Sequence, residues 1–328
     1  MELFQLFLQN LLSPAILFFT LGIAAGFFKS DLEVPDSISR YLSIYLMMAI
    51  GFKGGASLSE TDAGLSSLLP LLIAGAGMSL LMPFLGYGLL KATTRLDRAT
   101  QAAIAAHYGS VSVVTFVTAI SFITQAGFAY EGHVVATLAL MEAPAILSGL
   151  YIAHRVAPET IAAGKAATPK LSREIFTNGA ILLLLGSFVI GALSGQAGMA
   201  KMEGFLVTPF QGILALFLLD MGLLVSRQLH HMKEFSLPLV GFGLYMPMLG
   251  AVIGLALSWG MGLDVGTGVL FMVLCASASY IAVPAAMRLA LPQAKAAIYL
   301  PMSLAITFPF NIVFGLPLYL AAAEIMLR

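Results

Sequence analysis

The sequence predicts an all-α integral membrane protein with ten transmembrane helices in two inverted five-helix repeats, and three observations carry this prediction. First, 59% of the 328 residues are hydrophobic and only 10% are charged, which is more apolar surface than a soluble domain of this size can bury. Second, the apolar runs are about 20 residues long, the length that crosses a bilayer as a helix, and they lack the alternation of membrane strands. Third, similar segments recur in the same order in both halves of the chain.

Ten candidate spans result when the chain is cut at its charged, proline-rich and glycine-rich breaks. They cover residues 11–28, 38–57, 68–90, 100–124, 133–153, 175–193, 205–225, 237–259, 266–289 and 296–323. The N-terminal residues lack the basic leader and the small-residue cleavage site of a signal peptide. We therefore expect them to be retained as the beginning of the first span.

The positions of Lys and Arg predict the orientation in the membrane. With the N-terminus outside the cytoplasm, nearly all of them fall in inner loops, and the outer side keeps only Lys53, Lys201 and Arg328. The positive-inside rule therefore places both termini outside the cytoplasm, in a multi-pass protein of the inner (plasma) membrane. Residues 157–173 then form a cytoplasmic linker between a first repeat, 1–156, and a second repeat, 174–328. This linker is either a plain connection or the contact surface of a regulator.

Three pairs of stretches align between the two halves at a nearly constant offset. AILFFTLGIAAG at 15–26 matches AILLLLGSFVIG at 180–191, LPLL at 69–72 matches LPLV at 237–240, and SVS at 110–112 matches SAS at 277–279. Five spans per repeat is an odd number, so the second repeat enters the membrane from the opposite side. An inverted-topology repeat of this kind is typical of secondary transporters.

Each half places two serines two residues apart in the middle of an otherwise apolar run, in spans four and nine. A helix that loosens at mid-depth leaves backbone groups unpaired, which is tolerated around a cavity or ligand. The two halves of a broken helix present N–H groups and carbonyls side by side, so they can hold an anion and a cation. The alternative is that these serines only bond the preceding turn or allow a close helix contact. The candidate substrate-binding residues are Gly109, Ser110, Val111, Ser112, Ser277, Ala278 and Ser279.

Polar side chains deep in other spans predict a Na⁺ site. Glu142 lies in the middle of span five, where an ionisable group is costly and usually functional; the alternative is a protonated or paired structural carboxylate. The repeat places Thr307 opposite it in span ten, followed by Asn311, and oxygen ligands of this kind suit Na⁺. Asp220, in span seven, is a further candidate ligand or a gate residue, and a capping role or an ion pair with Lys53 is the alternative.

Several kinds of site are absent from the sequence. It contains no HExxH zinc motif, no glycine-rich phosphate loop and no soluble catalytic domain. We therefore expect neither an enzyme nor a cofactor. We expect Na⁺ as the coupling ion and no transition-metal site. Cys275 is the only cysteine, which excludes an intrachain disulfide. His107, beside the first serine pair, is the one hint of a membrane-embedded enzyme. A formal net charge of zero gives no indication of a nucleic-acid partner.

Four stretches carry a resemblance to a known family: AHYGSVSVVTF at 106–116, FLLDMGL at 217–223, ASASYIAVPAAM at 276–287 and ITFPFN at 306–311. In combination they resemble the sodium-dependent bicarbonate transporter family of SbtA-type permeases, over essentially the whole chain. The resemblance implies Na⁺-coupled bicarbonate uptake by an elevator-like movement. It also implies discontinuous, crossing helices four and nine, as in sodium/proton antiporter and bile-acid symporter folds. Ser110, Ser112, Ser277 and Ser279 match the family's motif positions around the substrate.

The resemblance also implies partners. It indicates bicarbonate and Na⁺ as substrates, a homotrimer in membrane lipid, and a soluble PII-like regulator that binds from the cytoplasm. The sequence leaves open a Na⁺- or H⁺-coupled transporter of another small anion, a cation/proton antiporter and a channel. Saturable, Na⁺-dependent uptake would separate a carrier from a channel.

Overall fold

The computed structural model describes residues 3–59, 65–156, 179–229, 235–280, 283–284, 287, 291 and 293–328. These residues contain no strand and are helical almost throughout, so the prediction of an all-helical protein is confirmed. The helices are α1 (Leu3–Leu11), α2 (Pro14–Phe27), α3 (Asp36–Leu58), α4 (Leu65–Thr93), α5 (Arg98–Gly109), α6 (Val113–Gln125), α7 (His133–Val156), α8 (Gly179–Met202), α9 (Phe210–Leu229), α10 (Leu237–Met261), α11 (Val265–Ala276) and α12 (Ala296–Met326). The expected linker and regulator surface, 157–173, lies outside the described residues.

Within these ranges, 7 helices are long and apolar enough to cross a membrane. They correspond to predicted spans three to eight and ten, with α5 and α6 counted together as one of them. Of the others, α2 has 14 residues and α11 has 12, whereas α3 has 23 residues but carries Asp36, Arg40 and Lys53. The chain is therefore a multi-pass membrane protein, and ten separate crossings stay a prediction.

Two helix starts differ from the predicted boundaries. The first span begins at Pro14, the start of α2, rather than at residue 11, where α1 ends. Ser13 caps α2, because its Oγ accepts a hydrogen bond from the backbone N–H of Ile16 at 3.4 Å. Proline lacks an N–H and is favoured at the first turn of a helix. The seventh span begins at Phe210 rather than at residue 205, because residues 203–207 form a π-helical turn at the end of the preceding helix.

Glycines bring two pairs of helices into close contact. A Cβ atom on Gly22 of α2 would lie 2.2 Å from the Leu219 carbonyl oxygen of α9, and one on Gly55 of α3 would lie 1.9 Å from the Phe188 carbonyl oxygen of α8. No side chain fits at such distances, so glycine is what permits the approach, as in many membrane helix pairs. Each pair joins a helix from the first half of the chain to one from the second half.

Two further close contacts hold the segments that carry the serine pairs. A Cβ atom on Gly109, the last residue of α5, would lie 2.4 Å from Pro83 Cγ of α4. One on Gly250 of α10 would lie 2.0 Å from the Cys275 carbonyl oxygen of α11. Nearly all residues of α5 and α11 are buried. The serine pairs therefore lie at the centre of the fold, enclosed by other helices.

Helix α12 is irregular at two places. Residues Met302–Thr307 and Asn311–Gly315 form π-helical turns, a deviation that occurs mostly in short stretches and often at functional sites. Backbone carbonyls at the second turn accept hydrogen bonds from Asn10 Nδ2, which donates to the Ile312 oxygen at 2.7 Å. The N-terminal helix α1, which carries Asn10, is thereby attached to α12.

Candidate functional site

The two serine pairs lie where two helices are interrupted. Helix α5 ends at Gly109, Ser110 is extended (φ −96°, ψ 175°), and α6 begins at Val113. Helix α11 ends at Ala276, and Ser277 is likewise extended (φ −88°, ψ 166°). All four serines are buried. The described part of the chain thus includes two non-helical passages in its apolar interior, which we call the first and the second break.

The two breaks hydrogen-bond directly to each other. The backbone N–H of Ser112 donates to Ser277 Oγ at 3.0 Å, across 165 residues of sequence. In the opposite direction, the backbone N–H of Ser279 donates to the His107 carbonyl oxygen at 2.9 Å. Unpaired backbone groups in an apolar interior cost several kcal/mol each. Each break therefore stabilises the other.

The helix that follows the first break begins at the site. Ser112 caps α6, because its Oγ accepts hydrogen bonds from the backbone N–H of Thr115 at 3.2 Å and from the Thr115 hydroxyl at 2.9 Å. The N-terminus of a helix carries a partial positive charge and free N–H groups. Helix α6, with 13 residues, therefore presents an anion-attracting end to the space between the breaks.

The serine hydroxyls differ in the hydrogen bonds that they already make. Ser277 Oγ donates to the Leu274 carbonyl oxygen at 3.3 Å, and Ser279 Oγ accepts from the backbone N–H of Val283 at 3.4 Å. Ser110 Oγ, in contrast, is buried and has no hydrogen-bond partner among the described residues. A buried hydroxyl without a partner costs about 1–3 kcal/mol. Ser110 is therefore the hydroxyl most available to a bound molecule.

Glu142 lines a small cavity beside the breaks. The other residues of its wall are Val111, Ser112, Val113, Ser279 and Tyr280. Its volume is about 10 Å³, room for roughly one water-sized particle. Glu142 is 5% exposed, and its Oε2 atom has no hydrogen-bond partner in the described part of the chain. A buried carboxylate needs a cation or a proton to balance its charge. The carboxylate and the Ser279 hydroxyl are oxygen ligands of the kind that a hard cation such as Na⁺ prefers, whereas the Ser112 oxygen already accepts two hydrogen bonds.

Thr307 is bonded to two neighbouring segments rather than to this cavity. Its Oγ1 donates to the Gly243 carbonyl oxygen at 2.7 Å. The Tyr108 hydroxyl lies 2.6 Å from the same Oγ1 and donates to it, because the threonine proton is already in use. Thr307 therefore connects α12 to α10 and to the residue before Gly109.

Asn311 holds the end of the helix before the second break. Its Nδ2 donates to the carbonyl oxygen of Ala276, the last residue of α11, at 2.9 Å. Its Oδ1 accepts from the Tyr319 hydroxyl at 2.7 Å. Carbonyls in the last turn of a helix lack intrahelical partners. Asn311 satisfies one of them at the site.

Asp220 lies apart from the residues of the cavity wall. Its carboxylate accepts a hydrogen bond from the Ser39 hydroxyl and so connects α9 to α3. Among the described residues Asp220 and Lys53 form no ion pair, and Lys53 Nζ lies 4.1 Å from the centroid of the Phe210 ring. A lysine above an aromatic face makes a favourable cation–π contact.

His107 is bonded in the manner of a structural histidine. Its Nδ1 donates to the Ala103 carbonyl oxygen at 2.6 Å, and its ring centroid lies 4.6 Å from that of Tyr299. Its Nε2 is buried and has no hydrogen-bond partner within the described residues, so the neutral ring carries its proton on Nδ1.

Two tyrosines at the site were not predicted. Tyr280 lines the cavity with Glu142, and Tyr108 bonds Thr307. The available signal was their position, because Tyr280 directly follows Ser279 and Tyr108 directly precedes Gly109. A polar aromatic side chain next to a helix break is a candidate wall residue.

The comparison with known families fits this geometry. A family model described as the Na⁺-dependent bicarbonate transporter superfamily matches residues 14–324, nearly the whole chain. The chain belongs to this superfamily. The predicted family resemblance is thereby confirmed, and this superfamily member is a membrane transporter. A comparison with curated protein sequences returns no match.

Proposed function

We propose that this superfamily member is a secondary active transporter that takes up bicarbonate together with Na⁺, with both ions bound where the two breaks meet. The observation that carries the proposal is the hydrogen bond from the Ser112 N–H to Ser277 Oγ, 3.0 Å long, beside the buried carboxylate of Glu142. Broken helices supply N–H groups to an anion and carbonyls to a cation at the same depth. A carrier of a Na⁺–anion pair requires this combination.

The architecture we propose is two inverted five-helix repeats, 1–156 and 174–328, joined by 157–173, with helices four and nine broken and crossing. Matching helix ends support it. Asp97 accepts from the Thr100 N–H at 2.8 Å, and Asp264 accepts from the Thr267 N–H at 2.9 Å. Each of these threonine hydroxyls also accepts a backbone N–H from the opposite half, at 3.0 Å for Thr100 and 2.8 Å for Thr267. A repeat predicts this correspondence, because both pairs have the same offset as the serine pairs.

Bicarbonate, in this proposal, binds between the breaks. The free hydroxyl of Ser110 and the N-terminus of α6 donate to its oxygens, and the serine of the second break that faces the small cavity, Ser279, donates from the other side. Gly109, Val111 and Ala278 complete the wall with small or apolar side chains. The binding residues are thus the two predicted serine segments.

Na⁺, in turn, binds at Glu142, with the hydroxyl oxygen of Ser279 as a neutral ligand; the Ser112 oxygen can join it only when the Thr115 hydroxyl turns away. Asn311 contributes by fixing the end of α11, and Thr307 by fixing α12 against the first break. We assign Asp220 to the ion path beside Ser39. Na⁺ balances the charge of the Glu142 carboxylate, and the N-terminus of α6 offsets part of the charge of bicarbonate.

The small cavity has room for one water-sized particle, so bicarbonate binding requires its walls to part. We propose an elevator-like movement, in which the helices that carry the breaks shift against the closely packed pairs α2–α9 and α3–α8. In accordance with the family resemblance, we also propose a homotrimer, both termini outside the cytoplasm, and a PII-like regulator on the cytoplasmic side.

Uptake into proteoliposomes tests the function. We expect labelled bicarbonate to accumulate when an inward Na⁺ gradient is present, to stop accumulating without it, and to be unaffected by acetate as competitor. Bicarbonate uptake that ignores the Na⁺ gradient would contradict symport. Inhibition by acetate would indicate a transporter of small carboxylates.

A cation/proton antiporter is the second candidate, and the buried, unpartnered Oε2 of Glu142 favours it, because such a carboxylate can exchange a proton for a cation. In that case a Na⁺ gradient would acidify or alkalinise the vesicles in the absence of bicarbonate. The symporter predicts no such change.

A further inference from the structure

A second, much larger cavity opens beside the candidate site. It has a volume of about 930 Å³ and lies between α3, α8 and α9. Its wall includes Asp36 and Arg40, near the beginning of α3, and Ser43 and Met47 further along the same helix. Spacings of three and four residues place these side chains on one face of α3. The cavity therefore follows α3 from its first turn towards the interior.

Tyr280 lies in the wall of both cavities. It lines the large one together with Leu304 and the small one together with Glu142 and Ser279. Its hydroxyl is buried and interacts with the Ser112 side chain, without a hydrogen bond of normal geometry in the ranges that the structure describes. Phenylalanine would fill the same space without burying a hydroxyl that is so weakly bonded. Packing alone therefore does not account for a tyrosine at this position.

The ring of Tyr280 is held by a row of aromatic side chains. Its centroid lies 5.6 Å from that of Phe308, and the Phe308 centroid lies 5.5 Å from that of Phe19. Both pairs meet edge to face, which is a favourable arrangement. Phe19 belongs to α2, which packs closely on α9, whereas Tyr280 belongs to the second break. A shift of the breaks against that helix pair would therefore displace the ring.

We propose that the large cavity is the cytoplasmic access path to the ion site and that Tyr280 is the gate between them. This inference rests on the proposed function, because it assigns a path and a gate to the same ions. Asp36 and Arg40 mark the mouth, since the positive-inside rule places the beginning of α3 at the cytoplasmic side. The Tyr280 ring closes the narrow end, and its hydroxyl can donate a hydrogen bond to a passing bicarbonate ion.

Thiol labelling tests the path without depending on transport. Cys275, the only cysteine of the chain, is buried and is replaced by alanine. One new cysteine is then introduced as Ser43→Cys in the large cavity or as Val113→Cys in the small one. A membrane-impermeant methanethiosulfonate reagent is applied to inside-out and to right-side-out vesicles. We expect Ser43→Cys to react from the cytoplasmic side alone, and Val113→Cys to react slowly from that side.

Removal of the ring tests the gate. Tyr280→Ala should raise the labelling rate of Val113→Cys from the cytoplasmic side about tenfold, the change expected when a gate that is open about a tenth of the time is removed. Tyr280→Phe keeps the ring and should leave the rate unchanged. The control is Tyr151→Ala, which removes an exposed ring on α7 and should have no effect. Labelling of Ser43→Cys at its original rate shows that the Tyr280→Ala protein is folded.

Three outcomes would overturn the inference. The first is reaction of Ser43→Cys from the outer side. The second is no reaction of Ser43→Cys from either side, which a lipid-filled cavity would cause, and the third is an unchanged labelling rate of Val113→Cys in the folded Tyr280→Ala protein. Uptake measurements separate this inference from the function on which it rests. The expected labelling without any Na⁺-driven bicarbonate uptake would overturn the function and leave the path and gate in place. Normal uptake with unchanged labelling would overturn the gate alone.

Discussion

Ser110 and Ser277 hold equivalent places in the two serine pairs but differ in their hydrogen bonds. Ser277 Oγ accepts from the Ser112 N–H at 3.0 Å and so holds the breaks together. Ser110 Oγ has no partner within the described residues. At the scale of single residues, one serine of the site therefore contributes to stability and the other is available to a ligand.

Replacing these serines one at a time should separate stability from binding. Ser277→Ala leaves the buried Ser112 N–H unpaired, which costs about 1–3 kcal/mol and should lower the melting temperature in detergent. Ser110→Ala removes no hydrogen bond within the described part of the protein, so the melting temperature should remain unchanged. The apparent KM for bicarbonate should rise, because the variant loses the hydroxyl that we assign to the bound anion. Ser194→Ala is the control, because its Oγ bonds the Ile190 carbonyl of its own helix. A lower melting temperature and an unchanged KM in Ser110→Ala would contradict this division.

Glu142 is the second residue whose role can be measured alone. Glu142→Gln removes the negative charge that we assign to Na⁺, so the Na⁺ concentration for half-maximal uptake should rise at least about tenfold, equal to roughly 1.4 kcal/mol of lost binding. Glu324→Gln, in which the replaced carboxylate pairs with Arg328 at the chain end, should leave it unchanged. An unchanged Na⁺ concentration for half-maximal uptake in Glu142→Gln would contradict this assignment.

At the scale of elements, the breaks depend on close contacts with neighbouring helices. Helix α5 approaches α4 so closely at Gly109 that a methyl group there would meet Pro83 Cγ at 2.4 Å and Pro83 Cδ at 2.5 Å. The proline ring is rigid and cannot turn away as a long side chain would. The position of the first break is therefore set in part by this contact.

Gly109→Ala should accordingly be destabilising. Overpacking of this kind costs about 1–3 kcal/mol, and the displaced α5 should also raise the apparent KM for bicarbonate. Gly88→Ala is the matched control in the neighbouring helix α4, because a methyl group there meets nothing within 4 Å and alanine favours a helix by about 1 kcal/mol over glycine. Melting temperatures of both variants in detergent check the prediction. Equal melting temperatures would show that α4 and α5 move apart freely.

At the scale of the whole molecule, the two halves of the chain are interleaved rather than set side by side. Helix α2 packs on α9 and α3 packs on α8, in each case through glycines. The breaks, too, exchange hydrogen bonds between halves, from Ser112 to Ser277 and from Ser279 to His107. Neither half can therefore build the site alone.

Expression of the halves as separate chains should show this dependence. We expect 1–156 and 174–328 each to be degraded or to aggregate when produced alone. The closely packed helix faces and the backbone groups at the breaks would then lose their partners in the other half. Co-expression of the two should restore a complex that elutes as one species in size-exclusion chromatography and binds Na⁺. A first half that is stable and monodisperse on its own would contradict the interleaved arrangement.

The sequence alone determined the helical membrane character, the family and the location of both breaks, because each follows from a local property. These properties are the length of the apolar runs, the residues of the four motifs and the serines within apolar runs. It also indicated Glu142, since a carboxylate at mid-span is costly wherever its partners lie. Only the tertiary structure decided how the oxygen atoms are used. Thr307, Asn311 and Asp220 turned out to be bonded to other segments, and Tyr280 to lie between two cavities. The physical reason is that a hydrogen-bond partner is chosen by the approach of helices distant in sequence, which no local pattern encodes.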